Sequence, residues 1–181
     1  AAEKHGKRPR IHLFGSGGIL REALAAQQIL DERFGVAADV WSATSYLLLR
    51  REALACERWN LLNPDGPPRV PYVTQVLADE PFPVVATSDY MKAVPEQIAR
   101  WVPGGLRPLG TDGFGRSEAR AELRDYFEID AKHTALAALA ELARIGQFDK
   151  KKLAEARKTL GVNPEKPDPC AAPKPETLQE V

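Results

Sequence analysis

The chain has 181 residues, of which 44% are apolar and 28% charged, and its 25 Lys+Arg balance 25 Asp+Glu. A folded part of about 150 residues buries roughly 70% of its extended-chain surface, so one domain can stand here without a disulfide or metal staple. Zero net charge argues against a dedicated DNA or RNA binder and against a polybasic membrane-surface module, both of which work by neutralising anionic groups.

The first ten residues are basic (Lys4, Lys7, Arg8, Arg10) and read as a flexible arm, 1–10. They lack the apolar stretch of a signal peptide, and the absence of an initiator Met reads as a processed chain or a fragment. Ile11 to Phe14 is a short apolar strand stopped by Gly15-Ser16-Gly17-Gly18. Ile19 to Phe34 then carries an apolar stripe (Ile19, Ala23, Ala26, Leu30, Phe34) at helical spacing, and Gly35 ends it. Ala38 to Ala43 reads as a second strand, and Thr44 to Trp59 as a second helix before the break Asn63-Pro64-Asp65-Gly66-Pro67-Pro68.

Pro71 to Ala78 predicts a short helix and Val84 to Thr87 a buried strand. Met91, Val94, Ile98 and Trp101 fall on one helical stripe, and Leu106 to Leu109 gives a fourth strand, placed at a sheet edge because Pro108 has no N–H to donate. Three helices follow. Ser117 is suited to cap the first, which presents Leu123, Tyr126 and Phe127. Asp130 is suited to cap the second, with Leu136, Leu139, Ala140 and Ala143 inward and Gly146 beyond it. Asp149 is suited to cap the third, with Leu153, Ala156 and Leu160 inward. Residues 161–181 hold five of the 15 prolines and read as an extended tail.

Strands alternating with helices predict an α/β fold: a three-layer, doubly wound, mainly parallel sheet of four to five strands over 11–160, with the first strand near its middle. Few residues in it suggest chemistry. Gly15-Ser16-Gly17-Gly18-Ile19-Leu20 follows a strand and opens a helix, yet Leu20 stands where a dinucleotide fingerprint has its third glycine. No acidic residue ends the second strand, where Thr44 and Ser45 stand instead. Gly110-Thr111-Asp112-Gly113-Phe114-Gly115-Arg116-Ser117 leaves the carboxyl end of the fourth strand, and Asp112 and Arg116 are open to pairing with each other, with an anion or across an interface. Cys56-Glu57-Arg58-Trp59-Asn60 has the composition of a polar interface. No histidine is placed beside Cys56, so it does not read as a nucleophile; His12 and His133 read as core-edge or surface residues, with His5 in the arm. Cys56 and Cys170 lie far apart outside any Cys/His cluster, which disfavours a zinc site and points to a reducing cytoplasm. No apolar run approaches the ~20 residues that span a bilayer.

The run GTDGFGRSEARAELRDYFEIDAKHTALAALAELARIG, residues 110–146, resembles the C-terminal domain of the transketolase superfamily. CERWNLL (56–62), RVPYVTQ (69–75), SDYM (88–91) and residues 110–117 resemble, more narrowly, the homodimeric bacterial pyruvate dehydrogenase decarboxylase components. The resemblance implies a much longer protein that decarboxylates pyruvate on thiamine diphosphate and magnesium and acetylates the lipoyl group of the dihydrolipoyl acyltransferase component. The family's cofactor motif, GDG followed downstream by an Asn pair, does not occur in this sequence. The resemblance therefore implies no catalytic, cofactor-binding or metal residue here, and an inactive domain when taken alone. It implies packing against upstream domains of the same chain and against a second identical subunit, for which Glu57, Arg58, Trp59, Asp112, Phe114 and Arg116 are the candidates. The family sheet has five strands, its first antiparallel at an edge, so four strands imply an uncovered edge. A free-standing nucleotide- or anion-binding module using 15–19 or 110–117, or a complex-docking module, is the alternative.

Overall fold

The computed structural model describes residues 8–171. Four parallel strands, β1 (Arg10–Gly15), β2 (Ala37–Ser42), β3 (Val84–Thr87) and β4 (Leu106–Leu109), lie in the order β2-β1-β3-β4. The first strand is thus central, and the Pro108 strand forms one edge while β2 forms the other. Around the sheet lie α1 (Leu20–Phe34), α2 (Tyr46–Leu62), α3 (Tyr72–Val76), α4 (Ala93–Glu96), α5 (Arg120–Tyr126), α6 (Ala131–Arg144) and α7 (Leu153–Thr159).

The period-2 alternation of the strands separates two cores. Ile11, Leu13, Ala38 and Val85 point to one face, where they meet Ala23, Ala26 and Leu30 of α1 and Ala135, Ala138, Leu139 and Leu142 of α6. Phe14, Val84 and Ala86 point to the other, toward Tyr46 and Ala53 of α2, Val73 of α3, and Ile98 and Trp101. Gly15 lets α1 leave the sheet tightly, because a Cβ there would stand 2.7 Å from the Cα of Leu20. Gly35 ends α1 at φ 63°, Ser45 caps α2 by accepting from the Leu48 N–H, and Asp130 caps α6 by accepting from His133 N–H.

Several sequence expectations are corrected. Arg10, assigned to the arm, opens β1, and Arg8 bonds Asp31 and the Gly35 carbonyl; residues 1–7 of the arm, with His5, lie outside the described residues. Met91 is exposed rather than inward. The helix expected over 91–101 divides into one α-turn, with Pro95 in its first turn where proline is tolerated, and a 3-10 turn (Ala99–Trp101). Ser117 does not cap α5, which begins three residues later behind Ala119. On α6 the buried stripe is Ala135, Ala138, Leu139 and Leu142, one position back from the expected set; Leu136 packs only partly buried against that core, and Ala140 and Ala143 are half-buried. An alanine-rich helix has apolar residues nearly all round, so its periodicity leaves the rotation underdetermined. Beyond α7, Lys166 donates to the Asp125 carbonyl and pairs with Glu128 at 3.6 Å, so this part of the proline-rich segment lies against the domain; residues 172–181 fall outside the described residues.

Candidate functional site

The six interface candidates fall into two groups with different local roles. On α2, Glu57 accepts from the Trp101 indole at 2.7 Å and pairs with Arg100, tying the helix to the 99–101 turn. Trp59 carries the Arg69 guanidinium over its ring at 4.4 Å, and the turn at Gly66 closes against its edge. Arg58 is exposed on the same helix. In the loop after β4, Asp112 accepts from the Lys92 backbone N–H at 2.8 Å and faces the Lys92 ammonium at 3.7 Å. Arg116 stacks on Tyr126 at 4.1 Å, so Asp112 and Arg116 do not pair with each other. Phe114 is 84% exposed at the tip of the loop. Gly113, at φ 92°, lets this loop touch the proline-rich segment, since a Cβ there would lie 2.4 Å from the Pro169 carbonyl oxygen. Both groups are braced from behind and present apolar or cationic tips outward.

Between α2, α3 and the edge strand β2 runs an apolar groove of about 380 Å³. Trp41, Leu48, Tyr72 and Val76 line it and are all exposed. None of the six interface candidates lies in it. Its signal was available in the leucine run Leu47-Leu48-Leu49, which places more apolar surface on α2 than one buried stripe needs.

A polar network, equally unannounced by local periodicity, lies under the same face. Arg10 bonds Asp39 at 2.7 Å and Glu80 at 2.5 and 3.0 Å, with its guanidinium 4.8 Å from the Phe82 ring centroid. The two carboxylates hold the Arg10 guanidinium firmly charged, Glu80 more than Asp39, against the opposing effect of burial. His12, fully buried, lies 3.1 Å from the Trp41 indole nitrogen and 2.8 Å from the Glu80 carbonyl. An indole N–H can only donate, so His12 Nδ1 accepts and Nε2 carries the proton given to Glu80. Both ring nitrogens are thereby committed to structure. Arg10, His12 and Asp39 alternate with apolar neighbours on paired strands, which is the pattern that could have revealed them.

The remaining reactive groups are likewise engaged. Cys56 is buried and its thiol donates to Glu52 at 3.1 Å; burial, then Glu52, push its pKa up, the reverse of what a nucleophile needs. Asp125, Asp130 and His133 bring three ligand-type atoms within 4.8 Å. Lys132 stands among them, 2.5 Å from Asp125 and 3.8 Å from Asp130, while Asp130 also holds His133 at 2.7 Å. The Lys132 ammonium depresses the Asp125 carboxyl and takes the place a divalent cation would need. Among the described residues no helix is long and apolar enough to cross a membrane.

Comparison with known proteins gives this arrangement a context. The transketolase-like TK C-terminal domain matches residues 1–130. The pyruvate dehydrogenase E1 component of Escherichia coli (strain K12) is 47% identical over 168 residues, 92% of this chain and 19% of that protein. The pyruvate dehydrogenase E1 components of Pseudomonas aeruginosa and Mycolicibacterium smegmatis are each 48% identical, covering 88% and 86% of this chain and 18% and 17% of theirs. The chain thus spans less than a fifth of the length of these relatives. A four-stranded parallel α/β domain with braced surface groups and no assembled catalytic cluster among its described residues, matched over most of its length, belongs to the transketolase-like C-terminal domain family.

Proposed function

We propose that the chain is the C-terminal docking and dimerisation domain of a thiamine-diphosphate-dependent pyruvate dehydrogenase. The whole protein would decarboxylate pyruvate and pass the acetyl unit to the lipoyl group of the acyltransferase component in the cytoplasm. The observation that carries this reading is the match of 92% of the chain, at 47% identity, to less than a fifth of such a protein. On this reading the domain runs from Arg10, which opens β1, to about residue 160, and the proline-rich segment packs against it in part through Lys166.

The residues present do not fit the cofactor. Magnesium takes oxygen ligands in a near-octahedral shell, and the one carboxylate–histidine cluster among the described residues is filled by Lys132. On this reading thiamine diphosphate and its metal are held by upstream domains, and this chain alone is inactive. Its own work is contact. The groove lined by Trp41, Leu48, Tyr72 and Val76 takes the upstream part of the same polypeptide, whose length exceeds that of this domain several-fold in the relatives. Glu57, Arg58 and Trp59, with Asp112, Phe114 and Arg116, form the second contact, with the twin subunit. Phe114 supplies an aromatic anchor, and the exposed ion pairs contribute about 0–1 kcal/mol each.

Calorimetric titration of the chain with thiamine diphosphate and magnesium tests the division of labour. No magnesium-dependent heat of binding is expected, and micromolar affinity that requires magnesium would overturn it.

A further inference from the structure

The chain leaves β1 for β2 on one side, while β3 pairs on the other side of β1. In an open parallel sheet the loops diverge where the strand order reverses, and a crevice opens outside the carboxyl ends of the strands. A cavity of about 540 Å³ occupies that position, within the range of small-molecule sites. Its walls come from the turns after all three strands, and six hydroxyl-bearing residues line it: Ser16, Ser42, Thr44, Ser45, Tyr46 and Tyr90. Among the described residues no charged side chain lines it.

Two features make this wall unlike an ordinary surface dent. The hydroxyls of Ser16 and Tyr46 are buried and have no hydrogen-bond partner. A buried hydroxyl without a partner is costly to leave so, and both residues line this cavity. The 17-residue helix α2 also begins here, capped by Ser45. The Tyr46 and Leu47 N–H groups, in its first turn, have no carbonyl within the helix to bond and carry the positive end of its dipole. The 3-10 turn Gly17–Ile19, which leads into α1, starts at the opposite wall, with Gly17 at φ 55° and open space where a Cβ would stand.

Neutral hydroxyls, unpaired N–H groups and an absence of lining carboxylates suit an anion with several acceptor oxygens. The end of β2 offers Ser42 and Thr44 rather than an acidic side chain, so nothing there would hold the ribose of a dinucleotide. We propose that this cavity, which shares the Ser42–Ser45 turn with the groove beside β2 but opens on its other side toward Ser16 and Tyr90, binds a phosphoryl group, either free phosphate or the phosphate of a small polyhydroxylated ester. A ligand held there would bridge the turns after β1, β2 and β3.

The test is an ¹H–¹⁵N NMR titration of the 181-residue chain with inorganic phosphate, glycerol 3-phosphate and glycerol. Saturable shifts at the amides of 16–19 and 44–48 are expected with both phosphates and not with glycerol. Tighter binding of glycerol 3-phosphate would identify an ester as the occupant, and equal affinity would identify the free ion. Thr44→Asp places a carboxylate on the exposed rim and is expected to weaken binding by about ten-fold or more, the scale of one charge-assisted hydrogen bond turned repulsive. Ser16→Ala is expected to weaken phosphate binding while raising the melting temperature of the ligand-free chain, because it removes an orphan hydroxyl. A merely structural Ser16 would not move the two readouts in opposite directions. Absence of saturable shifts with either phosphate, equal shifts with glycerol, or unaltered affinity in both variants overturns the proposal.

Discussion

The two faces of one sheet are finished differently. Toward α1 and α6 the strands present Ile11, Leu13, Ala38 and Val85, and the helices answer with alanines and leucines at zero exposure. Toward α2 and α3 the same strands present Arg10, His12 and Asp39 among their apolar residues, and the layer ends in an apolar groove open at the β2 edge. α2 buries only Tyr46, Ala53 and Cys56 well, and leaves Leu47, Leu48, Leu61 and Leu62 exposed. The first face is complete within this chain. The second has a polar network that fixes its geometry and a hydrophobic surplus that the described residues do not cover. One domain can be stable through one face and adhesive through the other.

The sharpest break of this contrast is a cavity in the complete face. Leu139→Ala removes a fully buried side chain between α6 and the sheet, and urea denaturation should show a loss of about 2–5 kcal/mol. On the other face, Arg10→Met strands the Asp39 and Glu80 carboxylates. Both are partly exposed, so the loss should fall to about 2 kcal/mol, between the buried and surface limits.

The pH dependence sharpens the contrast further. Glu141, on α6, is buried, which alone would raise its carboxyl; the hydrogen bonds from Arg144 and Arg107 outweigh that and hold it below its usual value. Lys132 does the same to Asp125. A carboxyl depressed by folding contributes its full stabilisation above its unfolded pKa, about 4.3 for Glu, and loses it as pH falls through the lower folded value. Glu141→Gln should therefore lower stability at neutral pH by about 1 kcal/mol, since both arginines are half in water, and should flatten the decline below about pH 4. A pH series of urea midpoints measures both effects.

A smaller change of opposite sign is expected at Tyr46, whose phenol is pushed up by burial and whose hydroxyl lacks a partner. Tyr46→Phe should stabilise the ligand-free chain by up to about 1 kcal/mol. Smallest of all, Leu48→Glu should move the midpoint of the chain alone by no more than about 0.5 kcal/mol, because Leu48 is 61% exposed.

Much of this architecture was legible in the sequence. The four apolar runs became the four strands, β3 and β4 to the residue, and Pro108, Gly35 and Asp130 did what their backbone chemistry dictates. The illegible parts share a cause. The rotation of α6, the cross-strand network of Arg10 and His12, and the groove beside β2 all depend on which elements lie face to face. Local periodicity carries little of that information, and in α6 the near-uniform apolarity removes even the local signal. Asp112 and Arg116 were open to mutual pairing in sequence; in space Lys92 and Tyr126, distant along the chain or across a helix, take them instead.

The central claim is that the α2/α3 face is adhesive and the α1/α6 face self-supporting. It is tested most directly by Leu48→Glu with Tyr72→Glu, introduced into this chain and, on the proposed function, into the longer pyruvate dehydrogenase of which it would form the C-terminal domain. The account predicts that the melting temperature of the chain alone stays within about 2 °C, as expected of exposed positions, while sedimentation shows the full-length protein losing its assembly and pyruvate decarboxylation falling with it. An unfolded domain, or a full-length protein that assembles and turns over unchanged, would contradict it.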